Sequence, residues 1–219
     1  HAIIGPNGAG KTTLVSLICG RTAPSSGRIY FKGNDITGIS SAKCVQAGIV
    51  YTFQVTSVFS NLICYENVAL SVQRNLRAQQ KGMALFGKWS MISENDIEQA
   101  VSKYLLKVGL AGVETQIAGT LPYGHQKLLE VAMSLAAGPE LLILDEPTQG
   151  LAEAEIENLT QLIREISKSV KVLLIEHNME VVFKLAEHIT VMDNGSILAE
   201  GTPAEIENNH AVQASYLGN

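Results

Sequence analysis

The chain has little of what several specialised folds are built from. Only three cysteines, Cys19, Cys44 and Cys64, occur in its 219 residues. Their odd number and lack of metal-ligand spacing argue against a disulfide framework and fit a reducing compartment. Basic residues are in deficit, 16 against 21 acidic ones. They are also scattered, which leaves no electrostatic footprint for nucleic acid. The longest apolar stretch, LLEVAMSLAAGPELLIL, is interrupted by Glu130, Gly138, Pro139 and Glu140, whereas a spanning helix needs about 20 largely uninterrupted apolar residues. No membrane span is expected, and no signal peptide, internal repeat or low-complexity tract is visible. What is present is apolar content, 46% of the residues. That is enough for one large domain, or for two small ones that share a core. His1 opens directly into AII, so the first residue reads as a cut edge with sequence missing upstream.

Periodicity organises the chain. Ala2 to Ile4 reads as a short strand ended by glycines, and KTTLVSLICG after it has helical spacing at Leu14, Leu17 and Ile18. RIYF (Arg28 to Phe31) and GIVYT (Gly48 to Thr52) read as strands, separated by a turn-rich stretch, Asn34 to Ser41, and a short helix near Ala42 to Ala47. From Tyr65 to about Leu110 the pattern is helical and more polar, with a softer Gly-containing stretch near Gly82 to Lys88. LLILD (Leu141 to Asp145) is a continuous apolar strand of the kind buried on both faces of a parallel sheet. A helical stripe at Ile156, Leu159, Leu162, Ile163 and Ile166 follows, then the strand VLLIE (Val172 to Glu176). A further helix, strands in HITVMD and SILAE, and two short helices complete the pattern, which is that of an α/β sheet with right-handed crossovers.

Two segments carry chemistry. GPNGAGKT comprises Gly5, Pro6, Asn7, Gly8, Ala9, Gly10, Lys11 and Thr12, followed by Thr13. It matches G-x-x-x-x-G-K-T between a strand and a helix, the context that gives the match meaning. Glycines let successive N–H groups turn inward around a phosphate, and the helix N-terminus adds partial positive charge. Lys11 is expected at the β- and γ-phosphates, and Thr12 at Mg²⁺. A Gly-rich turn that binds nothing is the bland alternative, and the fixed positions with their flanks disfavour it. In LLILDE, an apolar strand delivers Asp145 to the carboxyl edge of the sheet, where a carboxylate can hold Mg²⁺ through water. Glu146 then stands at the mouth, able to orient or deprotonate an attacking water. Two solvated acids capping a strand would be the plain reading of that pair alone.

The order GPNGAGKTT, TFQ, LPYGHQ, LLILDEPT and IEH resembles the ATP-binding subunits of ABC transporters over essentially the whole chain. The resemblance implies a P-loop NTPase core, residues 1–53 and 139–219, with a helical subdomain, residues 54–138, that ends in the signature motif. It implies ATP and Mg²⁺ as ligands, and Gln54 as the Q-loop residue that links metal and attacking water to a membrane partner. His177 is implied as the γ-phosphate contact. Tyr123, Gly124, His125 and Gln126 are implied to face ATP held by a second ATP-binding subunit, in a homodimer or heterodimer packed head to tail. Transmembrane permease subunits, and a peripheral position on the cytoplasmic face of the membrane, follow from the same resemblance.

This sequence departs from the family pattern at three places. Pro122 and Tyr123 stand where serine and glycine are usual, and Ala152 stands where aspartate or asparagine is common. A missing serine hydroxyl removes a contact worth about 1.5–3 kcal/mol, so modest ATP-driven pairing is expected, while Ala152 puts one intersubunit contact in doubt and slower hydrolysis is expected from it. Proline itself suits the first turn of a helix, where no intrahelical N–H is needed. The adenine-stacking aromatic of the family, and two strands with it, would lie upstream of His1, leaving exposed sheet edges. The stretch YTFQVTSVFSNLICYENVAL, the helical insertion, the tyrosine-bearing signature and the ending YLGN look most like branched-chain amino-acid uptake systems. Urea importers and lipopolysaccharide exporters share several of these features. A soluble ABC ATPase of translation or repair would bring a second cassette or a long coiled coil, neither of which is visible. A non-hydrolysing regulatory module is argued against by Glu146.

Overall fold

The computed structural model describes residues 1–52, 56–84 and 92–217. In chain order the elements are β1 (Ala2–Ile4), α1 (Lys11–Ile18), β2 (Tyr30–Phe31), β3 (Asn34–Asp35), α2 (Ser41–Gln46) and β4 (Ile49–Thr52). Then come α3 (Cys64–Ala84), α4 (Glu94–Lys107), α5 (Tyr123–Ala136), β5 (Leu141–Asp145), α6 (Glu153–Ser167) and β6 (Lys171–Ile175). The chain continues through α7 (Met179–Leu185), β7 (Ile189–Asp193), β8 (Ser196–Gly201), α8 (Pro203–Glu207) and α9 (His210–Leu217).

Six strands form one sheet in the order β4-β5-β6-β1-β7-β8, parallel except for the β7–β8 hairpin. Both faces are covered, as the unbroken apolar strands require. Ala2, Ile4, Leu142 and Leu144 pack into the larger core under α5 and α6, while Ile3, Ile143 and Ile175 point into a second core against α1 and α2. On α6, Leu159, Ile163 and Ile166 are fully buried, with Ile156 and Leu162 packed at the margin of the same core. The register matters most for function. Ile3 is opposite Ile175, and Ile175 is opposite Asp145. The loops that leave β1, β5 and β6 therefore start from one line across the sheet.

Three expectations change. The strand expected over Arg28 to Phe31 is only Tyr30–Phe31, and the supposed turn stretch begins with its partner strand, Asn34–Asp35. The connection is Lys32-Gly33, with φ of 52° and 76°. Positive φ at both central residues is the turn that matches strand twist, and Asn-Asp, poor strand formers, hid the second strand. Pro122 is the N-cap of α5, with φ −52° and ψ 149°, not a first-turn residue. Its carbonyl accepts the first intrahelical bond, from the Gln126 N–H at 3.0 Å, so a missing N–H there costs the helix nothing. The short helix expected at Ala42 to Ala47 begins and ends one residue earlier. Gln54, and residues 85–88 of the softer stretch, lie outside the described residues.

Candidate active site

The phosphate loop is shaped by its glycines. Gly8 and Gly10 have φ of 83° and 97°, a region costly for any residue with a Cβ. At Gly5 the constraint is contact: a Cβ would stand 2.1 Å from the Met192 carbonyl oxygen. The β7–β8 turn also donates from the Gly195 N–H to the Ala9 carbonyl at 3.0 Å, so the loop rests on that hairpin. Gly10 is the N-cap of α1 and supplies no side-chain acceptor. The first-turn N–H groups thus have no side-chain cap, the arrangement suited to an anion. Thr12 and Thr13 are exposed on that first turn.

Lys11 is buried, and its Nζ donates to the carbonyls of Gly5 at 2.7 Å and Pro6 at 3.1 Å. Burial pushes the pKa of this ammonium down, against the opposing pull of Glu146 and Asp145. That coupling places the lysine and both acids in one electrostatic site. Asp145 is 5% exposed and its Oδ2 accepts from the Tyr51 hydroxyl at 2.6 Å. Burial is the main reason its carboxyl pKa is raised, and the Tyr51 hydrogen bond works the other way. The Arg21 guanidinium lies 5.7 Å from the Tyr51 ring centre. Sequence reasoning passed over Tyr51, because its partner is 94 residues away.

Glu146 has φ 47°, in the left-handed region, and its N–H donates to the Ile175 carbonyl at 2.8 Å. That bond carries the sheet ladder one residue past β5 and turns the side chain toward the next loop. There Glu146 Oε1 lies 2.6 Å from His177 Nε2. An acid mostly shielded from water and a ring nitrogen at that distance can share or relay a proton at the mouth of the site. A second acid, Glu176, was read only as the end of a strand. It is 3% exposed and accepts from Thr148, His177 and Asn178. A charged residue directly behind a buried strand was the available sign, since buried acids are rare unless paired.

The fit to Mg²⁺ rests on donor chemistry. Asp145 and Thr12 offer hard oxygen ligands, and among the described residues no cluster of three or more His, Cys, Asp or Glu could hold a metal unaided. That suits an ion taking most of its ligands from phosphates and water. Since Asp145 carries a raised pKa, the associated stability is present at acid pH and lost as pH rises through the folded value. The cost of the buried charge is thus expressed as pH rises above that folded value. Asp145→Asn, which keeps an acceptor for Tyr51, is expected to raise the Tm of the nucleotide-free chain at pH 7 by about 1–3 °C. A lowered Tm in calorimetry would refute this.

The signature stretch opens α5. Tyr123 and His125 are exposed on the first turn of α5. Gly124 is buried, and a Cβ on it would meet Glu155 Oε1. Glu155 is itself held by the Ala152 N–H at 2.9 Å. The Tyr123 ring packs on Gly150 and lies 5.8 Å below the Lys127 ammonium, while Gln126 turns inward to the Leu121 carbonyl at 2.9 Å. Among the described residues no hydrogen bond joins residues 123–126 to the phosphate loop.

The family model described as ABC transporter matches residues 1–149. The chain belongs to the ABC transporter family. It is the ATP-binding cassette of such a system, an ATPase. A second model, described as branched-chain amino acid ATP-binding cassette transporter, matches residues 196–219 of the cassette. The high-affinity branched-chain amino acid transport ATP-binding protein BraF of Pseudomonas aeruginosa is 36% identical over 219 residues, 99% of this cassette and 86% of that protein. LivG of Escherichia coli, similarly described, is 33% identical over 220 residues, again 99% and 86% of the two chains. The crystal structure of an ABC transporter cassette in its ADP conformation superposes with a TM-score of 0.82 at 33% identity, covering 100% of this cassette and 87% of the other.

Proposed function

We propose that the cassette powers an importer of branched-chain amino acids. Hydrolysis of ATP would drive permease subunits on the cytoplasmic face of the membrane. The observation that carries the site assignment is the convergence of the Lys11 loop, Asp145 and the Glu146–His177 pair at one edge of the sheet. The names of the relatives support the substrate class. The N–H groups from Asn7 to Thr13 cradle the phosphates, and Lys11 exchanges its carbonyl partners for phosphate oxygens. Glu146 orients or deprotonates the attacking water, with His177 at the γ-phosphate and Gln54 on the path to the membrane partner. Bound through Asp145, Thr12 and Gln54, Mg²⁺ would neutralise phosphate charge. The division into a core, residues 1–53 and 139–219, and a helical part, residues 54–138, agrees with the mutual packing of α3, α4 and α5.

The exposure of Tyr123 and His125 on the first turn of α5 supports completion of the site by a second cassette. Tyr123, Gly124, His125 and Gln126 of one chain would then meet nucleotide held by the other. ATP closes the pair and hydrolysis reopens it, transport being driven by the different affinities of the two states for nucleotide. Nothing in this chain reads the amino acid, which is selected by other subunits. The deciding measurement is ATP-dependent uptake of labelled leucine, isoleucine and valine into vesicles holding the cassette with its copurified permease. Transport of another solute in place of all three would overturn the reading. Pro122→Ser restores a hydroxyl at the start of α5, and about a tenfold tighter ATP-dependent pairing is expected in sedimentation, the yield of one charge-assisted hydrogen bond. Unchanged affinity would remove Pro122 as the cause of weak pairing.

A further inference from the structure

Glu146 and His177 leave adjacent strands, and their side chains meet at 2.6 Å. Backbone pairing ends just below them, at the Glu146 N–H bond to the Ile175 carbonyl. Past that point Glu176 adds a further side-chain link between the two loops. Glu176 Oε1 accepts from the Thr148 N–H at 3.0 Å and the Thr148 hydroxyl at 2.5 Å. Its Oε2 accepts from the N–H of His177 at 2.9 Å and of Asn178 at 3.2 Å. One oxygen grips the loop after Glu146, and the other grips the backbone of His177 itself. Asn178 extends the lock, because its side chain caps α7 by accepting from the N–H groups of Glu180 and Val181. All four donors converge on an acid 3% exposed, a setting in which hydrogen bonds are strong and a lost partner is costly.

We propose that Glu176 is a positioning residue for ATP hydrolysis: its buried carboxylate ties the Thr148 loop to the His177 backbone and so keeps His177 against Glu146. This rests on the assignment of Glu146 and His177 to the reaction. A carboxylate is required because it accepts at both oxygens, whereas a carboxamide would turn an NH₂ toward one of the two pairs of donors. Buried, with both oxygens engaged by the protein, the residue acts through the loops it joins.

The test compares Glu176→Gln, Thr148→Val, Thr148→Ser and Glu146→Gln in the full chain with its permease. It reads kcat, the Kd of a fluorescent ATP analogue, and the imidazole resonances of His177 in histidine-labelled protein, assigned with His177→Gln. Glu176→Gln is expected to lower kcat at least tenfold, to leave Kd within threefold, and to shift the His177 resonances. Thr148→Val, which removes one donor and keeps the shape, should lower kcat about threefold with a smaller shift in the same direction, and Thr148→Ser should restore both. Should Glu176→Gln fail to fold, the threonine pair decides alone. Unchanged kcat and unchanged His177 resonances in the soluble variants would overturn the proposal. Wild-type turnover by Glu146→Gln would instead overturn the underlying assignment, which keeps the two failures apart.

Discussion

Replacing Glu146 by glutamine is expected to lower ATP turnover by about 10²- to 10⁴-fold, the range for a positioned general base. The carboxamide keeps the size of the side chain and an oxygen for His177, so the loop should keep its path. What it loses is the capacity to take a proton from water. Glu146 is placed for that role by its own backbone: φ of 47° and the bond to the Ile175 carbonyl swing its side chain off the strand to within 2.6 Å of His177 Nε2. In the proposed site the phosphates are held by the loop and by Lys11, so nucleotide affinity should stay within a few fold. Single-turnover measurements at saturating ATP check this. Unaltered kcat would assign the proton transfer elsewhere.

Gly5→Ala is expected to damage both stability and binding. Its Cβ would lie 2.1 Å from the Met192 carbonyl oxygen, far inside contact distance, and the obstacle is backbone in a buried strand that cannot swing aside. Either β1 and β7 part or the phosphate loop shifts, and both loosen the cradle. A loss of about 2–3 kcal/mol is expected, seen as a Tm lowered by roughly 5–10 °C, with ATP affinity weakened at least tenfold. Gly8→Ala is the control. Gly8 also has positive φ, 83°, but nothing lies within 4 Å of its Cβ position, so only the local backbone cost of about 1 kcal/mol applies. Equal effects of the two substitutions in thermal melts and nucleotide titrations would refute the role given to Met192.

Most of the architecture was legible because its signals are local. The parallel sheet could be read from AII and LLILD, since strands covered on both faces must be apolar throughout. The α6 stripe was legible for the same reason. What misled were segments whose structure depends on a partner of weak propensity. Asn34–Asp35 is a strand because the Lys32-Gly33 turn folds it onto Tyr30–Phe31, and nothing in the dipeptide itself says so. At the proposed site, Lys11, Asp145, Glu146 and His177 were picked out by motif, but motif order says nothing of distance. The approach of His177 to Glu146, the seating of Gly124 under Glu155, and the inward turn of Gln126 are tertiary facts.

By itself the amino-acid sequence pointed to a phosphate site and to the residues proposed to form it. A cradle of consecutive N–H groups, a glycine at each tight turn and a lysine at the head of the helix are all specified within eight neighbouring residues, so they survive reading in one dimension. Only the tertiary structure decided how the reacting groups are held. Tyr51 reaches Asp145 across 94 residues, Glu176 reaches Thr148 across 28, and Gly5 is constrained by Met192 from the far end of the chain. Such contacts arise from strand order and register, which bring distant loops to one edge of the sheet, and no local pattern of side chains encodes that adjacency.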